Sequence, residues 1–168
     1  VQELEPDVAT DVSGAVLFKD DCHFNPGKFM LQLKSYLGKN GVRFLFNTTV
    51  TGFEKHNNRI SAILTGKGKY ETAEILLAGG SWLPELAKMI GLKILLQAGK
   101  GYSYTYPYIE KNIRYPAILV DGRCAITPWG NTLRIGGTME LSGINNNVLV
   151  SRMKGIYDSA KDFYPRLD

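Results

Sequence analysis

Residues 74–88 read Glu74-Ile-Leu-Leu-Ala-Gly-Gly-Ser-Trp-Leu-Pro-Glu-Leu-Ala-Lys88. An apolar run, Ile75 to Ala78, suits a strand buried on both faces. Gly79 and Gly80 have no Cβ, so the backbone can turn sharply and a large group can approach it. Ser81 is placed to cap a helix that begins there, with Glu85 in its first turn, where negative charge is favoured. Strand, glycine turn and helix N-terminus form a common site for a phosphate or ribose. The same pattern is also an ordinary strand-to-helix connection in an α/β protein, and these residues alone leave both readings open.

Working outward toward the N-terminus, Lys69 to Thr72, Arg59 to Thr65 and Thr48 to Lys55 are short β-branched or aromatic runs. Gly66-Lys67-Gly68 and His56-Asn57-Asn58 separate them, so they predict a β-meander. Val42 to Phe46 predicts another strand. Asn25-Pro26 predicts a helix start, with Asn as cap and Pro in the first turn. Phe29, Met30, Leu33 and Leu37 recur at helical spacing through about Lys39, a stripe expected to be buried, and Asn40-Gly41 ends the helix. Ala15 to Phe18 reads as a strand, and residues 1–13 as acidic and irregular.

Toward the C-terminus the helix of the opening stretch runs to about Ile90 and stops at Gly91. A strand from Gly101 to Pro107 then puts Tyr102, Tyr104 and Tyr106 on one face, with Ser103 and Thr105 opposite. Ile118 to Val120 and Arg123 to Pro128 flank the hairpin turn Asp121-Gly122. Thr132 to Met139 is a further strand. A last helix presents Leu149, Met153, Ile156, Ala160 and Phe163 on one face. The order predicts a mixed α/β fold: one flank of an α/β domain with a meander, plus an antiparallel lobe, the two meeting near residues 92–98.

The composition bounds the function. The chain has 168 residues, 44% hydrophobic and 21% charged, enough to bury a normal core. Net charge is +4, but Lys and Arg never form a run, so no nucleic-acid partner is expected. Cys22 and Cys124 lie far apart without metal-ligand spacing, and His23 and His56 are the only histidines. No metal site is therefore expected, and a reducing, cytoplasmic setting is. No apolar run approaches the ~18 residues of a membrane helix.

Individual motifs keep two readings each. The tyrosine face could stack nucleic-acid bases, although cross-strand packing is the commoner role of such residues. Asp20-Asp21 could be a carboxylate pair for acid–base or metal chemistry, or a solvated turn. Arg123 and Arg134 both fall on predicted strands. Each is either a clamp for a substrate carboxylate or an edge charge facing water. Nothing resembles a nucleophile elbow or a catalytic triad.

Taken in order, four stretches resemble the flavin-dependent amine oxidoreductases that include D-amino-acid dehydrogenase, D-amino-acid oxidase, glycine oxidase and sarcosine oxidase. They are Phe18-Lys-Asp-Asp21 with Phe24-Asn-Pro26; Gly41-Val42 through Val50-Thr-Gly-Phe53; Ile75-Leu-Leu-Ala-Gly-Gly-Ser-Trp82; and Lys100-Gly-Tyr-Ser103 with Arg134-Ile-Gly-Gly-Thr-Met-Glu140. The resemblance covers most of the chain. It implies residues 1–18 as the entry strand of a substrate lobe, 19–94 as part of an FAD-binding domain and 95–168 as the substrate-binding lobe. It places Val50 beside the adenine, and Ala78, Gly79, Gly80 and Trp82 against the flavin dinucleotide. It places Arg123 and Met139 in the substrate pocket, with Arg123 as the expected carboxylate contact. Ala125 stands where some relatives have a carboxylate-gripping tyrosine.

The glycine fingerprint that holds the pyrophosphate in this family is not in the sequence. The resemblance thus implies an internal segment of a longer oxidoreductase, which alone would bind flavin weakly or not at all. The implied reaction passes a hydride from an amino-acid α-carbon to FAD, giving an imine and then a 2-oxo acid, with no protein nucleophile. Two alternatives remain: a flavin-dependent 2-hydroxy-acid or glycerol-phosphate dehydrogenase, and a non-catalytic binding module.

Overall fold

The computed structural model describes residues 1–110 and 112–165. The elements in chain order are α1 (Pro26–Lys39), β1 (Val50–His56), β2 (Arg59–Thr65), β3 (Gly68–Glu71), α2 (Leu83–Met89), β4 (Lys100–Tyr106), β5 (Ala117–Leu119), β6 (Cys124–Trp129), β7 (Thr132–Glu140) and α3 (Val150–Phe163). The expected mixed α/β class is present, with two antiparallel sheets. The chain divides into two compact units: Val1–Met30 with the residues from Gly99 onward, and Leu31–Ala98.

The second unit is built on the meander β1-β2-β3. His56 pairs with Arg59, and the two residues between them, Asn57 (φ 47°) and Asn58 (φ 60°), are both left-handed. That is the geometry of a tight hairpin turn, and asparagine tolerates it. After β3 the chain enters the stretch around the glycine pair. Ile75 to Ala78 joins no ladder among the described residues, and Leu76 is 90% exposed. The expected doubly buried strand is therefore absent. Ala15 to Phe18 and Val42 to Phe46 are likewise unpaired. Apolar, β-branched composition favours extended backbone, but a strand exists only where a neighbour supplies the hydrogen bonds.

Both helices of the N-terminal half start near their sequence signals, with two corrections. The Asn25 side chain accepts from Lys28 N at 3.0 Å, as an N-cap should. Gly41, at φ 86°, ends α1, and the Val42 amide returns to Leu37 O at 3.0 Å. However, α1 buries none of its residues: Phe29 and Met30 are exposed, and Leu33 and Leu37 are half-buried. Ser81 does not cap α2. Residues Gly80–Trp82 form a short 3-10 turn, and α2 starts at Leu83 without a side-chain cap. Pro84 explains the delay, because a residue lacking an N–H sits best in the first turn.

The first unit holds the better packed core. Its sheet runs β4-β7-β6-β5, and α3 packs on one face. Ile126, Leu133 and Ile135 are fully buried there, against Ile156 and Ala160 of α3. Two glycines permit this approach. A Cβ on Gly137 would lie 3.1 Å from Cys124 Cβ and 3.4 Å from Ile156 Cγ1. One on Gly122 would lie 2.9 Å from the Phe163 ring. The N-terminal segment is tied to the same unit. The buried Glu5 carboxylate accepts from the backbone amides of Arg114 and Tyr115 at 2.8–3.0 Å.

Candidate functional site

The register of the four-stranded sheet sorts its side chains. Residues paired across antiparallel strands share a face, and alternate residues along a strand do too. Tyr102, Tyr104 and Tyr106 oppose Gly137, Ile135 and Leu133, so the tyrosine face is the one that α3 covers. Tyr102 is buried in the core and Tyr106 packs against it. The Tyr104 and Tyr106 rings stack at 5.9 Å. Tyr102 is thus held by the core and Tyr106 by packing against it, while Tyr104 stays 40% exposed.

The opposite face is the one that α3 does not cover. Its residues fall in rows. Ile118, Ala125, Gly136 and Ser103 form one, and Thr127, Arg134 and Thr105 the next. Trp129 with Thr132 lies at one end, and Met139 with Gly101 at the other. Successive rows are roughly 7 Å apart, two residues of strand rise. The middle row has small side chains except at Ile118, so it forms a shallow floor. A Cβ on Gly136 would meet only ordinary contacts, at 3.8 Å or more. The two adjacent glycines thus differ: Gly137 makes room for α3, and Gly136 keeps the open face low.

Met139 reaches this face because of a bulge. Gly101 pairs with Met139 and Tyr102 with Gly137, leaving Thr138 unpaired at φ 39°. The extra residue reverses the alternation, so Met139 joins the Arg134 and Gly136 face, while Glu140 turns to the covered one. Arg152 of α3 holds the bulge, donating to Thr138 Oγ1 at 2.7 Å and to Met139 O at 3.2 Å. Sequence reading gave Arg152 no role, because an inserted bulge residue leaves no compositional mark.

An ionic network closes the Met139 end. Lys100 Nζ lies 2.6 Å from Glu140 Oε1 and also donates to Asn145 Oδ1 and Asn147 O, both at 2.6 Å. Ser142 donates to the Glu140 carboxylate at 2.7 Å, and Arg152 Nε approaches it at 3.4 Å. The Lys100 ammonium, seconded by the Ser142 hydroxyl, lowers the Glu140 carboxyl to about 2 despite its desolvation. Lys100 is raised in turn, chiefly by its hydrogen bond to Glu140. The Lys100-Gly-Tyr-Ser and Arg-x-Gly-Gly-Thr-Met-Glu140 segments, taken together as one stretch of the resemblance, are the two halves of one contact.

The other predicted residues are distributed as follows. Arg123 is not on a strand. It occupies the β5–β6 turn at φ 49° and lines a groove beside α3 with Thr138, Arg152 and Ser159. The left-handed position of that turn falls on Arg123 rather than on Gly122. Asp20 and Asp21 lie in an exposed turn. Val50, Ala78, Gly79, Gly80 and Trp82 all belong to the second unit. Val50 opens β1, half-buried and paired with Thr65. A Cβ on Gly79 would fall 2.7 Å from Leu86 Cδ1, so this glycine lets the turn close on α2. Gly80 is left-handed (φ 53°), with nothing within 4 Å of a Cβ.

The comparisons with known proteins agree with this architecture. The family described as "FAD dependent oxidoreductase" (DAO) matches residues 1–168. The chain belongs to that family. It is 35% identical over 152 residues to a D-amino acid dehydrogenase of Helicobacter pylori, covering 90% of this chain and 36% of that protein. It is 32% identical over 148 residues to one of Bradyrhizobium diazoefficiens, covering 87% and 34%. The chain thus spans about a third of the length of these relatives. Among solved structures, L-proline dehydrogenase from P. horikoshii superposes with a TM-score of 0.87 at 19% identity, covering 99% of this chain and 46% of that one. Glycine oxidase from Bacillus cereus gives 0.85 at 22%, with the same coverage. These two likenesses establish the shared fold.

The family implies FAD, and the residues present fit it as a wall rather than as a phosphate cradle. Gly80 leaves open space, Ala78 is exposed and Trp82 is 57% exposed. Open backbone at a glycine beside an exposed indole suits a planar or apolar part of a dinucleotide. The seven-residue α2 is too short to act as an anion site. Among the described residues no helix is long and apolar enough to cross a membrane.

Proposed function

We propose that this chain is part of a flavin-dependent dehydrogenase or oxidase acting on D-amino acids. The observation that carries the proposal is the match, along nine-tenths of the chain, to proteins named D-amino acid dehydrogenase. The open sheet face supports it, with low floor residues between an apolar end at Met139 and a cationic row at Arg134. In this reading Val50, Ala78, Gly79, Gly80 and Trp82 contact FAD, while Met139 and Arg123 line the substrate lobe, Arg123 from its turn.

When bound, FAD supplies the hydride acceptor. The protein's own contribution is orientation and exclusion of water. The Ala125–Gly136–Ser103 row leaves room for a small substrate above the sheet. Met139 offers it an apolar contact, and the Arg152-held bulge fixes where Met139 stands. In this reading these groups bind and position. Loss of oxidised-flavin absorbance on anaerobic addition of a D-amino acid to the purified flavoprotein tests the reading. The same assay with 2-hydroxy acids tests the alternative substrate class.

A further inference from the structure

Thr138 is a β-branched residue at φ 39°, a backbone conformation that such side chains resist. Strain of this kind persists where the surroundings over-determine it, and it gathers at functional sites. The bulge at Thr138 decides what the end of the open face presents. Side chains alternate along a strand, so a regular β7 would set Thr138 and Glu140 beside Gly136 on the open face and turn Met139 behind the sheet. The inserted residue exchanges the last two. The thioether faces out, and the carboxylate faces the α3 side.

Arg152 touches every residue of that exchange. Its Nη1 donates to Thr138 Oγ1 at 2.7 Å and to Met139 O at 3.2 Å, and its Nε stands 3.4 Å from Glu140 Oε2. A regular strand would carry the Glu140 carboxylate through to the other face and break this set. Arg152 sits on α3 one turn before Ile156, which is buried against the sheet, so its fork is carried by a fixed element. The Met139 thioether settles over Gly99, where a Cβ would fall 2.7 Å from Sδ.

We propose that Arg152 is a positioning residue for substrate selectivity. Through the Thr138 bulge it keeps Met139 on the substrate face and the Glu140 carboxylate behind the sheet. The site then favours apolar over cationic substrate side chains, although Arg152 itself touches no substrate. This inference rests on the amino-acid reading above and adds what sets its preference. Without the fork, β7 relaxes toward the regular register. That withdraws the apolar contact and brings a carboxylate to the face, where it attracts a cationic side chain.

The test measures kcat/KM of the flavin-loaded, full-length enzyme for D-leucine and D-lysine. Wild type is expected to prefer D-leucine. Arg152→Met should lower the ratio of D-leucine to D-lysine about 10-fold, the worth of a lost apolar contact, with the D-leucine loss mainly in KM. Arg152→Lys, which keeps a donor and the charge, should recover part of the ratio. A merely structural role would lower both substrates together and leave the ratio unchanged. An unchanged ratio in Arg152→Met, or a wild type that prefers D-lysine, overturns the inference and leaves the amino-acid reading standing. If Arg152→Met does not fold, Arg152→Lys alone decides, since an ammonium cannot span all three partners and must still lower the ratio below wild type. A wild type that oxidises no D-amino acid overturns the amino-acid reading and the inference together.

Discussion

Lys100 and Glu140 face each other across β4 and β7, with 2.6 Å between Nζ and Oε1. Glu140 is 8% exposed, so its charge is stabilised by partners rather than by water. The pair anchors the segment after β7 through Ser142, Asn145 and Asn147. It also sits next to Met139, so the end of the open face depends on it.

The first prediction concerns acid. The folded state lowers the Glu140 carboxyl from 4.5 to about 2, so its contribution to stability is complete above its unfolded value. It fades as pH falls from about 4.5 toward about 2, because the unfolded chain then binds the proton more readily. Urea midpoints between pH 6 and pH 2 should drop steeply in this window for the wild type. Glu140→Gln should start lower and show a flatter slope. Parallel curves would remove Glu140 as the source of the dependence.

The two glycines of β7 should separate stability from binding. Gly137→Ala places a methyl 3.1 Å from Cys124 Cβ, and overpacking of this kind costs about 1–3 kcal/mol. Gly136→Ala meets only ordinary contacts, so its midpoint should stay within about 0.5 kcal/mol of wild type. Instead it raises the floor of the open face and should raise KM. Denaturation of both variants beside wild type checks the contrast.

Ile156 is 3% exposed between α3 and the sheet. Ile156→Ala should cost about 2–5 kcal/mol, by lost burial plus the cavity left behind. A loss below about 1 kcal/mol would mean that α3 packs more loosely than described.

Much of this was legible in the sequence, for reasons specific to each element. The Asn-Pro start of α1 and the Asn57-Asn58 hairpin were readable because caps and left-handed turns demand particular residue types. The β6–β7 pair and α3 were readable because their neighbours lie close in sequence and bury one face. Ile75 to Ala78 misled because composition reports a preference for extended backbone and cannot report the missing ladder partner. The placement of Arg134 needed the register, and that of Met139 needed the Thr138 bulge, which no residue type announces. The Lys100–Glu140 contact spans 40 residues, so the sequence held both groups without their distance.

Exposed apolar segments should govern the behaviour of the isolated 168-residue polypeptide. Leu76 and Leu95 are each 90% exposed, and Val16 is 79% exposed. Apolar side chains exposed to this degree promote association where they gather into patches. The polypeptide should bind a hydrophobic fluorescent dye and self-associate as concentration rises, whereas a dye-silent monomer would show that these segments are covered.

On the proposed flavin contact of the glycine turn, Trp82→Ala should weaken FAD binding by about 10-fold, the worth of one aromatic contact. Gly80→Ala should cost about 1–2 kcal/mol of stability through its left-handed backbone. Flavin retention after gel filtration and thermal midpoints of the two variants check these effects separately.

The most direct measurement is the absorbance of the purified full-length flavoprotein under anaerobic conditions, before and after addition of a D-amino acid. The proposed function predicts bound FAD whose oxidised absorbance is lost on mixing, with the matching 2-oxo acid released. A protein that carries no flavin, or whose bound flavin stays oxidised with every D-amino acid tried, would contradict it.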